Sequence, residues 1–119
     1  MKKLISWFEI PATDFYRAVE FYKKILVTDL EPLDFGEEKM ACFPGDEGAI
    51  SFSPGFNPSK DGPIISFNAG EDIDGMIARI ESNGGNIVRP KTKIEAEGRG
   101  YFALFTDTEG NRLGIYGEK

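Results

Sequence analysis

Few residues in this chain can do chemistry, and the missing types narrow the field first. The sequence holds no histidine and one cysteine, Cys42. Without imidazole, a Ser-His-Asp triad or a histidine proton shuttle is excluded. The nitrogen and sulfur ligands of ordinary zinc, copper, nickel or iron sites are absent as a set. Oxygen ligands remain, which suit magnesium, calcium or manganese. The acidic groups Asp46/Glu47 and Glu71/Asp72/Asp74 offer such oxygens. They stand where turns and helix starts favour carboxylates, and read as structural. Nothing near Cys42 in the sequence activates a thiolate, so it reads as a small buried hydrophobe.

Glu9 is the best catalytic candidate. In the segment from Trp7 to Ile10, strand alternation puts Trp7 and Glu9 on one side and Phe8 and Ile10 on the other. A carboxylate beside an aromatic in a partly dry pocket suits a general base. The structural alternative, and the commoner one, is an ion pair with Arg112 or with a partner chain's cation at a sheet edge. Trp7, Tyr101 and Tyr116, with Phe56, can stack on a flat or cationic ligand. They can equally serve as core or interface packing.

The elements that must position these groups follow from the pattern. After the Trp7–Ile10 strand, Thr13 or Asp14 can cap a helix. Phe15, Ala18, Val19, Tyr22, Ile25 and Leu26 then recur at helical spacing, with Arg17, Glu20, Lys23 and Lys24 opposite. The helix packs on the Phe8/Ile10 side of its strand, which leaves Trp7 and Glu9 on the functional side. Residues 29–35 and 38–43 read as a hairpin joined at Gly36, followed by a turn over 44–48 and an alternating strand over 49–53. Residues 54–62 form a Pro/Gly/Asn/Ser-rich linker. The pattern then starts over: a strand at 64–69, a helix capped by Asp72 and ended at 83–85, a strand over 86–94 broken near Pro90, a flexible turn at 95–100, a strand at 101–106, a hairpin turn at 107–111 and a last strand at 112–116.

This is an α+β domain of two pseudo-repeated βαβββ modules, roughly 1–55 and 62–119, within a single domain spanning 1–119. Each module forms a curved mixed sheet with its helix on the convex face, and the concave face offers a pocket. Alternation lines that face with Trp7, Glu9, Ser51, Ser53, Ile64, Ser66, Asn68, Gly114 and Tyr116; the plain alternative is a solvated sheet surface. At 119 residues one core is affordable and two are not. The net charge is −6 and no Lys/Arg block interrupts it, which argues against nucleic acid. MKKLISWFEI imitates a signal peptide, but Glu9 breaks its apolar run, and no later run is long enough for a bilayer. A single cysteine excludes an internal disulfide and points to the cytoplasm.

The chain resembles the vicinal oxygen chelate superfamily, which includes glyoxalase I, extradiol dioxygenases and bleomycin-resistance proteins. The resemblance rests on FEIPATDFYRAVEFYKKIL, GPIISFNAGEDIDGMIARIESNGG and GYFALFTDTEGNRLGIYG, in that order and spacing. In metal-dependent members, four inward residues, usually His or Glu, chelate a divalent ion. Carried over, those positions fall on Trp7, Ser51, Ile64 (Pro63 or Ile65 in a shifted register) and Gly114. None is a carboxylate or an imidazole, so the resemblance implies a fold without metal or other cofactor, and neither a glyoxalase I nor a dioxygenase. It also implies a homodimer. The leading expectation is a metal-free small-molecule binding protein of the bleomycin-resistance kind, with Trp7, Glu9, Ser51, Ser66, Tyr101 and Tyr116 as ligand-binding residues. A metal-independent isomerase or lyase, with Glu9 as base and Tyr101 or Tyr116 as donor, competes with it. So does an interaction module whose pocket is filled.

Overall fold

Asp14 is the residue that opens the first helix. Its carboxylate accepts the backbone N–H of Arg17 at 3.2 Å, which satisfies a donor that has no partner within the helix. Helix α1 (Phe15–Leu26) buries Phe15, Ala18, Val19, Tyr22 and Ile25 as the spacing predicts, and Phe21 widens that stripe. Lys23 and Lys24 complement the carbonyl end. The computed structural model describes residues 4–119; the first three residues of the MKKLISWFEI stretch lie outside the described residues.

Around α1 the chain forms strands β1 (Phe8–Pro11), β2 (Leu33–Asp34), β3 (Lys39–Cys42) and β4 (Gly48–Phe52). Their order in the sheet is β1-β4-β3-β2, with β1 parallel to β4 and the other pairs antiparallel. The second half repeats this with β5 (Ser66–Gly70), helix α2 (Ile73–Ser82), β6 (Asn86–Lys93), β7 (Tyr101–Thr106) and β8 (Arg112–Gly117), ordered β5-β8-β7-β6. Two βαβββ modules, each a mixed four-stranded sheet with one helix, are therefore present.

Two elements differ from the sequence reading. The strand expected over 29–35 shrinks to Leu33–Asp34. Pro32 cannot donate to a ladder, and Leu30 turns into the core at 4% exposure instead of pairing. The break expected near Pro90 is a pair of register shifts in the β6–β7 ladder, between Ile87 and Arg89 and between Arg89 and Thr92. The β5–β8 ladder shifts register between Asn68 and Gly70.

The core is continuous across the modules. Ile10, Ala41 and Ile50 lie on the face of the first sheet that meets α1, and Ala103, Phe105, Leu113 and Ile115 lie on the matching face of the second. Between them Phe43 and Phe67 meet edge to face at 5.5 Å between ring centres, with Tyr22 at 5.7 Å from Phe67. Among the described residues no helix is long and apolar enough to cross a membrane.

The turn at 107–111 does more than reverse the chain. Buried Asp107 accepts the Tyr22 hydroxyl at 2.6 Å, the Asn111 side-chain amide at 3.0 Å and the backbone N–H groups of Glu109 and Asn111, each at 2.9 Å. Burial pushes the Tyr22 phenol well above its usual value, and the neighbouring Asp107 carboxylate adds to the shift. Asn111 donates to the Pro11 carbonyl at 2.8 Å and accepts the Ser59 N–H at 3.1 Å. One amide thus fixes the end of β1, the linker and the turn relative to each other.

Candidate functional site

The site begins with strand register. In the parallel β1–β4 ladder Glu9 stands opposite Ala49 and Pro11 opposite Ser51, so Glu9 and Ser51 lie diagonally on the face turned away from α1. The Ser51 hydroxyl donates to Glu9 Oε1 at 2.6 Å. Ser51 is buried, whereas Glu9 remains exposed. A short charge-assisted bond of this kind holds the carboxylate in one orientation and leaves its other lone pairs for a ligand.

Above this pair opens a cavity of about 500 Å³. Met40, opposite Ser51 in the β3–β4 ladder, extends the floor, and Phe35, Lys39, Phe52 and Phe56 stand around it. The Lys39 ammonium sits 4.8 Å from the Phe52 ring centre. The brevity of β2 leaves this end of the sheet open, and the linker supplies Phe56 as the opposite wall. A second cavity of about 300 Å³ shares Glu9 and Phe56 with the first and runs beneath the linker to Pro63, Asn111 and Arg112. The two cavities adjoin at Glu9 and Phe56, and together they are the cleft.

Of the residues expected at the site, the fold brings together Glu9 and Ser51 only. Trp7 lies just before β1, 40% exposed, and lines neither cavity of the cleft. Ser66 borders a separate cavity with Phe8, Phe67 and Asn68. Tyr101 carries the Lys91 ammonium at 4.7 Å from its ring centre, and the Tyr116 hydroxyl accepts the Gly100 N–H at 3.3 Å. Both tyrosines belong to the second sheet and line neither cavity of Glu9's cleft. The ion pair considered between Glu9 and Arg112 does not form; the partner that Glu9 takes is the Ser51 hydroxyl. Cys42 is half-buried and unpaired rather than fully enclosed. Sequence reasoning missed Phe35, Lys39 and Met40, because the hairpin that carries them was read only for its bend. Alternation of Met40 and Cys42 against the buried Ala41 is the signal that marks them.

The positions at which metal-dependent relatives of this fold place ligands do not fit an ion here. They carry an indole, a hydroxyl, an aliphatic chain and no side chain at all. At Gly114, the space next to Cα is taken by the Ser66 hydroxyl, 2.5 Å from where a Cβ would stand, and by an Ile64 methyl at 3.3 Å. Among the described residues no group of three or more His, Cys, Asp or Glu side chains could hold a metal ion.

Comparison with known proteins gives a consistent picture. The family model of the Glyoxalase/Bleomycin resistance protein/Dioxygenase superfamily matches residues 4–115. No curated protein sequence matches the chain significantly. Among solved structures, a glyoxalase/bleomycin resistance protein from Albidiferax ferrireducens T118 superposes with a TM-score of 0.72 at 18% identity, covering 98% of this chain and 100% of that one. The fosfomycin resistance protein FosX from Listeria monocytogenes, complexed with Mn(II) and sulfate, gives 0.73 at 19% identity over 100% of this chain and 93% of that one. TnmS3, an antibiotic binding protein from Streptomyces sp. CB03234, gives 0.62 at 22% identity over 99% and 98%. At these identities the likeness concerns the fold.

Proposed function

The chain belongs to the Glyoxalase/Bleomycin resistance protein/Dioxygenase superfamily, and on that premise we propose that it is a metal-free small-molecule binding protein whose ligand lies in the cleft over Glu9 and Ser51. The observation that carries this reading is the Ser51–Glu9 bond at 2.6 Å, set at the base of an open cleft of about 500 Å³ walled by Phe35, Phe52 and Phe56. Glu38, Lys39 and Ser53 line the same cavity, so it offers aromatic contact and several polar groups together. Glu9 accepts a hydroxyl or ammonium of the ligand, and the rings contact its apolar body. The side chains at the family's ligand positions offer no donor set for a cation, which supports binding without a metal. No ring fills the cleft, which favours a binder over a pure interaction module.

The protein works as a homodimer in the cytoplasm. The exposed run of Leu4 (87%), Ile5 (64%) and Trp7 (40%) supports a covering partner, since apolar groups clustered at the surface mark contact sites. A second copy is the occupant we assign to it.

Native mass spectrometry of the protein as purified tests the reading. The expected species is a dimer that carries an organic molecule and no metal. A stoichiometric transition metal held by this chain overturns it. So does turnover of the co-purified molecule that is abolished in Glu9→Gln while its binding persists, because that outcome makes Glu9 a base rather than an anchor.

A further inference from the structure

Arg112 opens β8 and lines the second cavity of the cleft, beyond Glu9 and Phe56. Its backbone N–H donates to the Ser59 carbonyl at 3.2 Å, and its Nη2 donates to the Gly62 carbonyl at 3.3 Å, so the linker holds it in place. Its Nε is buried and, among the described residues, has no hydrogen-bond partner. No acidic side chain forms an ion pair with the guanidinium among the described residues; the ion pair considered with Glu9 is absent. A guanidinium keeps its charge at every pH the protein meets. An unbonded buried N–H costs about 1–3 kcal/mol. Such a group is poorly explained by folding alone. A ligand acceptor satisfies it once the side chain turns its Nε toward the cleft that Arg112 lines.

The same lobe of the cleft is lined by Glu9 and Asp61, so it does not suit a simple anion. A ligand that carries a donor for Glu9 and a carboxylate for Arg112 satisfies both ends. The aromatic lobe beyond Glu9 accommodates an apolar body. We propose that Arg112 binds a carboxylate of the ligand, so that the cleft takes an amphoteric organic acid with an aromatic or apolar body. This rests on the cleft being a small-molecule site. Arg112 is then the specificity-determining residue that separates such acids from amines of the same shape.

The test uses the full chain and three probes: phenylalanine, phenylethylamine, which lacks the carboxylate, and 3-phenylpropionate, which lacks the amine. Binding is followed by NMR at the Arg112 Nε–Hε resonance and at the backbone amides of the cleft. Phenylalanine is expected to shift the Nε–Hε signal saturably, and phenylethylamine to bind about tenfold more weakly without moving it. Arg112→Gln is expected to weaken phenylalanine about tenfold and to leave phenylethylamine unchanged. A role confined to holding the linker would weaken both probes alike. Arg112→Lys, which keeps the charge but loses the planar fork, checks that the loss is not misfolding and is expected to fall in between. The inference is overturned if phenylethylamine binds as tightly as phenylalanine, or if Arg112→Gln leaves the affinity for phenylalanine intact. In both cases cleft shifts persist and the small-molecule reading stands. If none of the probes shifts any cleft resonance, the inference falls, and the mass spectrometry of the purified protein decides the broader reading separately.

Discussion

The turn joining β3 to β4 and the turn joining β7 to β8 hold the same place in their modules, yet they meet opposite surroundings. Residues 44–47 are exposed to solvent, while Asp107 and Asn111 are 4% and 6% exposed. Both turns bend through a glycine in the left-handed region, Gly45 at φ +88° and Gly110 at φ +94°. In the first turn the Asp46 N–H bonds back to the Phe43 carbonyl within the bend. In the second the polar residues reach α1, the end of β1 and the linker. A similar split runs across the sheet faces. Glu9 stands opposite Ala49 as Ser66 stands opposite Gly114, but only the first module pairs a carboxylate with a hydroxyl over an open cleft. The repeat is one of architecture. The second module has the longer strands and the buried turn, and the first holds the Ser51–Glu9 pair.

The sharpest break of that contrast is Asp107→Ala. It strips the buried Tyr22 hydroxyl and two backbone N–H groups of their acceptor and should cost about 3 kcal/mol in denaturant unfolding. Its counterpart in the exposed turn, Asp46→Asn, should stay within about 0.5 kcal/mol. Equal losses would erase the distinction between the turns.

Glu109→Gln probes the charge in the buried turn. Burial alone would raise this carboxyl, but the Arg17 guanidinium at 2.8 Å, the Asp14 N–H and the Thr108 hydroxyl hold it below the ordinary carboxylate value. A folded value depressed below the unfolded one contributes stability that is complete above the unfolded value of about 4.3 and is lost as pH falls through the folded value. The wild type should therefore lose stability on the acid side more steeply than Glu109→Gln, which should cost about 1–2 kcal/mol at neutral pH. Parallel acid profiles for the two proteins would contradict this role.

Tyr22→Phe acts at the opposite end of the scale. The raised folded value means that the phenol's contribution is complete below the unfolded value of about 10 and fades as pH climbs past it. The variant should be about 1 kcal/mol less stable at neutral pH, with a shallower alkaline decline in thermal unfolding. The smallest effect has the other sign. Helix α1 ends on Val27 at φ +52°, whereas the chain after α2 turns on Gly84 at φ +97°. Val27→Gly should raise stability by about 0.5–1 kcal/mol, because a β-branched residue is strained where glycine is not. A stabilising effect at Val27 would show that the two helix ends differ in strain and not in function.

Much of the frame was legible in the chain. The stripe of Phe15, Ala18, Val19, Tyr22 and Ile25 marks a helix face, Asp14 and Asp72 mark the caps, and the order of elements marks the repeat, because 3.6- and 2-residue periods report burial directly. Strand alternation set the shared face of Glu9 and Ser51, which the structure bonds to each other. It did not show that Trp7, Tyr101 and Tyr116 line neither cavity of the candidate cleft. Alternation gives the side of a strand, but not which module's face closes over which cleft.

The sequence by itself determined the two modules, their helices and caps, and the lack of imidazole and thiolate ligands, since these depend on local spacing and residue type. Tertiary structure alone decided that the 107–111 turn is a buried anchor and that the linker walls a cleft at Glu9. It also decided that Arg112 ends there with a buried, unbonded Nε. Each of these depends on groups distant in the chain meeting at hydrogen-bond range, as Ser59 meets Asn111 at 3.1 Å and Tyr22 meets Asp107 at 2.6 Å. Such meetings are set by how the two sheets pack through one shared core.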